Sequence, residues 1–141
     1  MNYLGGEQRK VAIAGIIAME PEILILDEPT VGLDPTSKND ILNKIKQYQI
    51  DKNITVIMIS HDVNMIAEYV NKILILDDGK IAKYDIVNNV FSDIDLLETH
   101  GIDIPDITKI FHKLKEKGLE VNTNIYTIEQ AKQEVLLYVK A

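Results

Sequence analysis

The stretch "ILILDEPTVGLDP" (residues 23–35) decides the fold. Its four consecutive aliphatic residues predict a β-strand that is apolar on both faces, as in the middle of a parallel sheet covered by helices. Asp27 and Glu28 follow this strand directly, and Pro29 ends it. Ligands bind outside the carboxyl ends of such strands, where two carboxylates can hold a metal ion and activate a water molecule.

Two more aliphatic runs, residues 54–62 and 72–80, have the same character, and predicted helices over residues 35–49 and 62–70 separate the three runs. The resulting order of strand, helix, strand, helix, strand predicts an α/β fold with a parallel sheet. A turn at Gly79 then leads into a short additional strand that ends at Ile86.

The pattern changes after Ile86, so the sequence predicts a core over residues 1–86 and a small helical module over residues 87–141. A helix over residues 104–118 and another over 127–140 are predicted in this module, the second opened by a capping box of Thr127 and Gln130. Two apolar stripes are expected to face a core: Ile107, Ile110, Phe111 and Leu114 in the first helix, and Ile128, Ala131, Val135 and Val139 in the second.

Composition excludes several classes of function. The net charge of −7 argues against non-specific binding of nucleic acid, which needs clustered Lys and Arg. The absence of cysteine removes disulfides and thiolate metal sites. The longest apolar run, residues 11–19, is far shorter than the roughly 20 residues of a membrane-spanning helix.

Taken alone, the Asp27–Glu28 pair fits a solvated strand end better than a catalytic site. Three neighbouring features reverse that preference. Asp34 follows a tight turn at Gly32 and can cap the next helix, and His61 ends the second parallel strand, which would bring it near Glu28. In "LGGEQRKVAIAG" (residues 4–15), two glycines open an apolar helix whose free N–H groups can bind an anion.

In this order, "LGGEQ", "ILILDE", "GLDP" and "ISHD" resemble the signature, Walker B, D-loop and switch-histidine motifs in the second half of the ATP-binding subunit of ABC transporters. The stretches at residues 9–35 and 90–118 look like the ATPase subunits of energy-coupling-factor importers, which take up cobalt or nickel ions and vitamins. The resemblance covers essentially the whole chain. It implies a partial P-loop NTPase core with a parallel sheet and a C-terminal helical module that pairs ATPase subunits.

The resemblance also implies roles for individual residues in ATP hydrolysis. Glu28 would be the general base, Asp27 would hold Mg²⁺ through water, and His61 would contact the γ-phosphate and communicate with Glu28. The residues expected to act on ATP across the interface with a second ATPase subunit, like or unlike, are Gly5, Gly6, Glu7 and Asp34. A transmembrane component would be a further partner, and it would hold the chain at the cytoplasmic face of the membrane.

The chain departs from the family at the phosphate-binding end. No G-x-x-x-x-G-K-[ST] motif occurs in these 141 residues. The glutamine loop and the adenine-stacking aromatic are also absent, and Leu4 stands where the family has a phosphate-contacting serine. Without the P-loop strand, the sheet would keep unpaired backbone groups. We therefore expect a closed-up rearrangement, a marginal fold, or a missing half supplied by another chain.

Three functions follow from these observations. The leading one is a truncated ATP-binding subunit of an importer of metal ions or vitamins, inactive by itself. The alternative is a non-catalytic pairing or regulatory module that docks on an intact ATPase subunit through its C-terminal helices. A degraded remnant without function is the third, and it predicts poor solubility and no cooperative melt.

Overall fold

A helix followed by a β–α–β unit forms the first 61 residues of the chain. The computed structural model describes the backbone of residues 4–140 and the side chains of residues 7–139. The elements of this first unit are α1 (Leu4–Ile17), β1 (Ile23–Asp27), α2 (Pro35–Lys52) and β2 (Thr55–Ile59).

Strands β1 and β2 are parallel, with Ile23 opposite Thr55 and Asp27 opposite Ile59. Helix α2 makes the crossover that a parallel pair requires. Its N-terminus is set by the side chain of Asp34, which accepts a hydrogen bond from the backbone N–H of Ser37 at 3.0 Å. The predicted capping role of Asp34 is therefore observed, and the parallel arrangement of the first two aliphatic runs is correct.

The two faces of the β1–β2 sheet differ in burial. Leu24 and Leu26 pack against Ile41 and Ile45 of α2, with Ile13 and Ile17 of α1 at the margin of the same cluster. The opposite face is exposed and carries the side chains of Ile23, Ile25, Ile57 and Ile59. The expectation that both faces are covered is wrong for the part of the chain that the structure describes.

The second unit, residues 62–141, contains a β-hairpin and five helices within its described part. Its elements are α3 (Val63–Tyr69), β3 (Lys72–Asp77), β4 (Lys80–Ile86), α4 (Val87–Phe91), α5 (Ile94–Thr99), α6 (Asp106–Glu116) and α7 (Ile128–Lys140). Asp62 caps α3, because its side chain accepts a hydrogen bond from the N–H of Met65 at 2.9 Å.

The third aliphatic run does not extend the parallel sheet. It forms β3, which pairs in antiparallel fashion with β4. The reason lies in the turn between them, where both Asp78 (φ 46°) and Gly79 (φ 74°) have a left-handed backbone. A two-residue turn of this kind suits an Asp-Gly pair and sends the chain directly back along the preceding strand.

The strands of the described residues form two two-stranded sheets, one in each unit. Over residues 4–140, β2 pairs only with β1, and β3 pairs only with β4. The expectation of a closed-up rearrangement concerns how the strands of the two units lie relative to each other, and it stays a prediction. The expectations of a marginal fold or of a half supplied by another chain stay predictions.

The main core of the second unit includes residues from both sides of residue 86. Ala67 of α3 and Ile75 of β3 pack with Phe91, Leu97 and Tyr126. The Phe91 and Tyr126 rings lie 5.7 Å apart between centroids, within the range of favourable aromatic pairs. The predicted division of the chain into a core over residues 1–86 and a helical module over residues 87–141 stays a prediction.

Helices α6 and α7 only partly bury their predicted stripes. In α6, Phe111 is buried but Ile110 is exposed. In α7, Ala131 is buried, whereas Ile128, Val135 and Val139 are exposed. The prediction that the whole α7 stripe faces a core is wrong for this chain, because only the first turns of α7 reach the small cluster around Phe111 and Ile125.

The capping box that opens α7 is present. The N–H of Gln130 donates to the Thr127 hydroxyl at 3.2 Å, and the Gln130 carbonyl oxygen accepts from the N–H groups of Tyr126 and Thr127. We expect Thr127→Ala to lower the free energy of unfolding by about 1 kcal/mol, because a helix-terminal N–H loses its acceptor. Thr127→Ser keeps the hydroxyl and is the matched control. Equal midpoints for the two variants in urea denaturation would show that the cap contributes nothing.

No helix within residues 4–140 is both long enough and apolar enough to span a bilayer.

Candidate functional site

Glu28 directly follows strand β1 and has an unusual backbone conformation. Its φ is 44°, in the left-handed region that residues other than glycine rarely adopt. The backbone is nevertheless fixed, since the N–H of Glu28 donates to the carbonyl oxygen of Ile59 at 2.9 Å. Strained backbone of this kind is concentrated at functional sites.

The carboxylate of Glu28 is held by two consecutive residues at the end of β2. The Ser60 hydroxyl donates to Oε2 at 3.2 Å. The His61 backbone N–H lies 3.2 Å from Oε1, and the His61 ring nitrogen Nδ1 lies 2.7 Å from the same oxygen. An ionised carboxylate can only accept, so Nδ1 carries a proton and the ring donates. The structure thus brings Glu28 and His61 together, as the parallel strands predicted.

These hydrogen bonds favour the ionised form of Glu28. Partial desolvation raises its pKa, but the hydrogen bonds from the His61 side chain, Ser60 and the His61 backbone, together with the charge of His61, hold the pKa below its ordinary value of 4.5. Glu28 is therefore ionised at neutral pH. Its side chain is 31% exposed, so water can reach it.

The lowered pKa has a consequence for the dependence of stability on pH. Because the pKa is lower in the folded than in the unfolded chain, the contribution of Glu28 to stability is present above pH 4.5 and disappears as the pH falls through the folded value. We expect the Glu28 carboxyl carbon to titrate below pH 4.5 in NMR spectra, and His61→Ala to raise that midpoint. An unchanged midpoint in the His61→Ala variant would show that His61 does not lower the pKa of Glu28.

Asp27, the predicted Mg²⁺ ligand, is the last residue of β1 and is exposed. Within residues 4–140, no three His, Asp or Glu side chains come together in a group that can hold a metal ion. The residues nevertheless fit Mg²⁺ bound with a nucleotide, because that ion keeps several waters and takes one or two carboxylates plus phosphate oxygens. The Asp27 carboxylate would hold such an ion through one of its water ligands.

A short loop connects this site to Asp34. Two successive turns form it, with the Val31 N–H donating to the Glu28 carbonyl oxygen and the Leu33 N–H donating to that of Thr30. Hydrogen bonds from the hydroxyl and the backbone of Ser37 hold the pKa of Asp34 below its ordinary value. Asp34 is thus an exposed, ionised carboxylate whose observed hydrogen-bond partner is Ser37, in the first turn of the helix that it caps.

The predicted anion-binding residues lie at the start of α1. Gly5, Gly6 and Glu7 belong to its first turns. The Glu7 carboxylate lies 3.8 Å from the Lys10 ammonium group. Met1–Tyr3 and the side chain of Leu4, which occupies the place of the family serine, lie outside the described residues. The roles of these residues in binding ATP stay predictions.

Sequence reasoning missed two residues that contact the site. Ser60 is one of them, although the parallel register places the residue after Ile59 opposite Glu28. Arg9 of α1 is the other, and it donates from Nη1 to the Val31 carbonyl oxygen at 2.7 Å, which links the helix that carries Gly5 and Gly6 to the loop before Asp34. A side-chain bond to a loop carbonyl leaves no pattern in a single sequence, so only the structure shows this second contact.

Comparisons with known proteins show which family this chain resembles. A family model described as ABC transporter matches residues 2–31. The energy-coupling factor transporter ATP-binding protein EcfA2 of Clostridium tetani is 46% identical over 132 residues, which make up 94% of this chain and 46% of that protein. This chain therefore spans about half the length of that relative.

Two solved structures share the fold. The structure of cbiO1 from Clostridium perfringens, described as part of the ABC transporter complex cbiONQ, is 30% identical with a TM-score of 0.59, and the match covers 78% of this chain and 43% of that chain. The ATP-binding cassette MJ0796, in a dimeric post-hydrolysis state bound to ADP and Pi, is 31% identical with a TM-score of 0.55, over 59% of this chain and 35% of that one.

Proposed function

The chain belongs to the ATPase family of ABC transporters, and from that premise we propose that it supplies the water-activating part of an ATP-binding subunit in an energy-coupling factor transporter. The predicted fold class is confirmed, since ABC ATPase structures are its structural neighbours. The observation that carries the proposal is the Glu28 carboxylate, ionised and held by Ser60 and His61 at the carboxyl ends of two parallel strands.

Glu28 would act on the water that attacks the γ-phosphate of ATP. A carboxylate oxygen would accept a hydrogen bond from the water, orient it, and take its proton as the water oxygen bonds to the γ-phosphorus. The bond from that phosphorus to the bridging oxygen breaks in the same step, and ADP leaves. The exposed His61 ring would hold Glu28 through Nδ1 before ATP binds and would rotate to the γ-phosphate once it is bound. Bound Mg²⁺ neutralises developing charge on the phosphate oxygens, and Asp27 would hold that ion through water.

The partners and the transported substrate are proposed from the relatives. Dimeric MJ0796 supports a second ATPase subunit as a partner, with Gly5, Gly6, Glu7 and Asp34 acting across the interface. The description of cbiO1 as part of a transporter complex supports a transmembrane component, which would place this chain at the cytoplasmic face of the membrane. A metal ion such as cobalt or nickel, or a vitamin, is the substrate class that we propose.

A fusion protein tests the proposed function. The chain is joined to the part of Clostridium tetani EcfA2 that lies outside the match, and hydrolysis of Mg-ATP is measured alongside the 141-residue chain. We expect hydrolysis by the fusion and none by the chain. A fusion that melts cooperatively and is stabilised by Mg-ATP, as binding to the folded state requires, but does not hydrolyse it, would contradict the proposal.

A pairing or regulatory module is a second candidate function, and the surface of α7 favours it. The last turns of α7 expose four large apolar side chains close together in sequence: Val135, Leu136, Leu137 and Val139. An apolar surface of this kind is typical of a protein–protein contact. If pairing is the function, Leu137→Glu abolishes co-purification with an intact ATPase subunit and Glu28→Gln does not affect it. Co-purification that is unaffected by Leu137→Glu would contradict the pairing function.

A further inference from the structure

The Glu28 carboxylate has two kinds of side-chain anchor, and they differ in how free they are to move. The His61 side chain is 82% exposed, so its ring can rotate into solvent without losing packing contacts. The Ser60 hydroxyl is partly buried and sits on the residue that directly follows β2. A serine side chain also has a single rotatable bond between its backbone and its hydroxyl oxygen, so few conformations compete with the bonded one.

The two anchors also hold different oxygens. Ser60 donates to Oε2, whereas both groups of His61 donate to Oε1. If the His61 ring turns away to meet an anionic ligand, Oε1 keeps only the backbone N–H at 3.2 Å. One bond at a single oxygen leaves the carboxylate free to rotate, while a second bond at the other oxygen fixes its plane.

We propose that Ser60 is a positioning residue whose hydroxyl keeps the Glu28 carboxylate oriented while the His61 ring moves between Glu28 and a phosphate. The inference rests on the proposed function, in which Glu28 orients the attacking water. Loss of orientation in such a group lowers the rate of the chemical step even when every reacting group is present. With Ser60 in place, the orientation of the Glu28 carboxylate does not depend on where the His61 ring lies.

The test uses amide hydrogen exchange in the 141-residue chain, without any nucleotide. The His61 N–H donates to the Glu28 carboxylate, so its exchange rate reports how firmly that carboxylate is held. All variants are made together with His61→Ala, so that no ring holds Oε1, and the native rate is that of the His61→Ala chain at the N–H of residue 61. On this background we expect Ser60→Ala to raise the rate about tenfold, given the strength of hydrogen bonds to charged groups. Ser60→Thr keeps the hydroxyl and should stay within about twofold of the native rate.

Ser92→Ala is the matched control, because its hydroxyl donates to the carbonyl oxygen of Asn89 in the second unit. It should leave the exchange of the amide at residue 61 unchanged. If Ser60→Ala does not melt cooperatively, Ser60→Cys preserves the side-chain volume with a much weaker donor and is measured in its place. A native exchange rate in the folded Ala or Cys variant overturns the proposal.

Hydrolysis by the fusion protein provides a second, independent readout. We expect Ser60→Ala to lower kcat about tenfold with KM for ATP unchanged, and Ser60→Thr to restore kcat. If the native fusion does not hydrolyse ATP, the proposed function fails while the exchange measurement still decides the role of Ser60. If hydrolysis is present but kcat is unaffected by Ser60→Ala, the positioning role is wrong and the proposed function stands.

Discussion

Replacing Glu28 with glutamine in the fusion protein is expected to lower kcat for ATP hydrolysis about 100- to 10,000-fold, the range that a positioned general base contributes. Glutamine keeps the size of the side chain, and its single carbonyl oxygen can still accept a hydrogen bond from His61. Its NH₂ group cannot accept the bond from Ser60, and the side chain cannot take a proton from water. The loss should therefore appear in kcat, while KM for ATP stays nearly constant because Glu28 does not hold the nucleotide.

The matched control for this substitution is Glu22→Gln. Glu22 precedes β1 at the end opposite Glu28 and is exposed, and its backbone carbonyl, which accepts from Thr55, is unchanged by the substitution. It removes the same charge from the same unit without touching the site. Equal values of kcat for the Glu28→Gln variant and the native fusion would show that Glu28 is not the general base.

The local order of the first unit could be predicted because short-range rules fix it. The aliphatic run before Asp27 predicted a strand, and the helix that follows it predicted a crossover to a parallel neighbour. Parallel strands bring their carboxyl ends to one edge, so the approach of His61 to Glu28 follows from the order of the elements alone. Asp34 was predicted as a cap from its place between a turn and a proline.

Other features depend on tertiary context and were predicted wrongly or missed. The third aliphatic run looks like a parallel strand by composition, but the two left-handed residues Asp78 and Gly79 return it as a hairpin. The left-handed backbone at Glu28 has no local signal, since nothing in a glutamate favours a φ of 44°. The hydrogen bond from Ser60 to Glu28 depends both on the left-handed backbone at Glu28 and on the β1–β2 register, which places Asp27 opposite Ile59.

The largest expected effect on stability is at Leu24. This residue is 1% exposed and packs in the cluster between β1 and α2, so Leu24→Ala removes buried methyl groups and leaves a cavity. We expect the free energy of unfolding to fall by about 2–5 kcal/mol, measured by urea denaturation of the 141-residue chain. A change of this size is a large fraction of the total stability of a small domain.

Ile25→Ala is the control within the same strand, because the next residue points to the opposite face and is 61% exposed. Its cost should stay within about 0.5 kcal/mol, as for other surface substitutions. Equal losses for the two variants in the isolated chain would mean that the exposed face is covered, by a second copy or by another part of the chain, and the assignment of one buried and one open face would be wrong. In the fusion, a larger loss at Ile25 than in the chain would show that the added half packs on this face, since burial alone makes the removal of the same atoms costly.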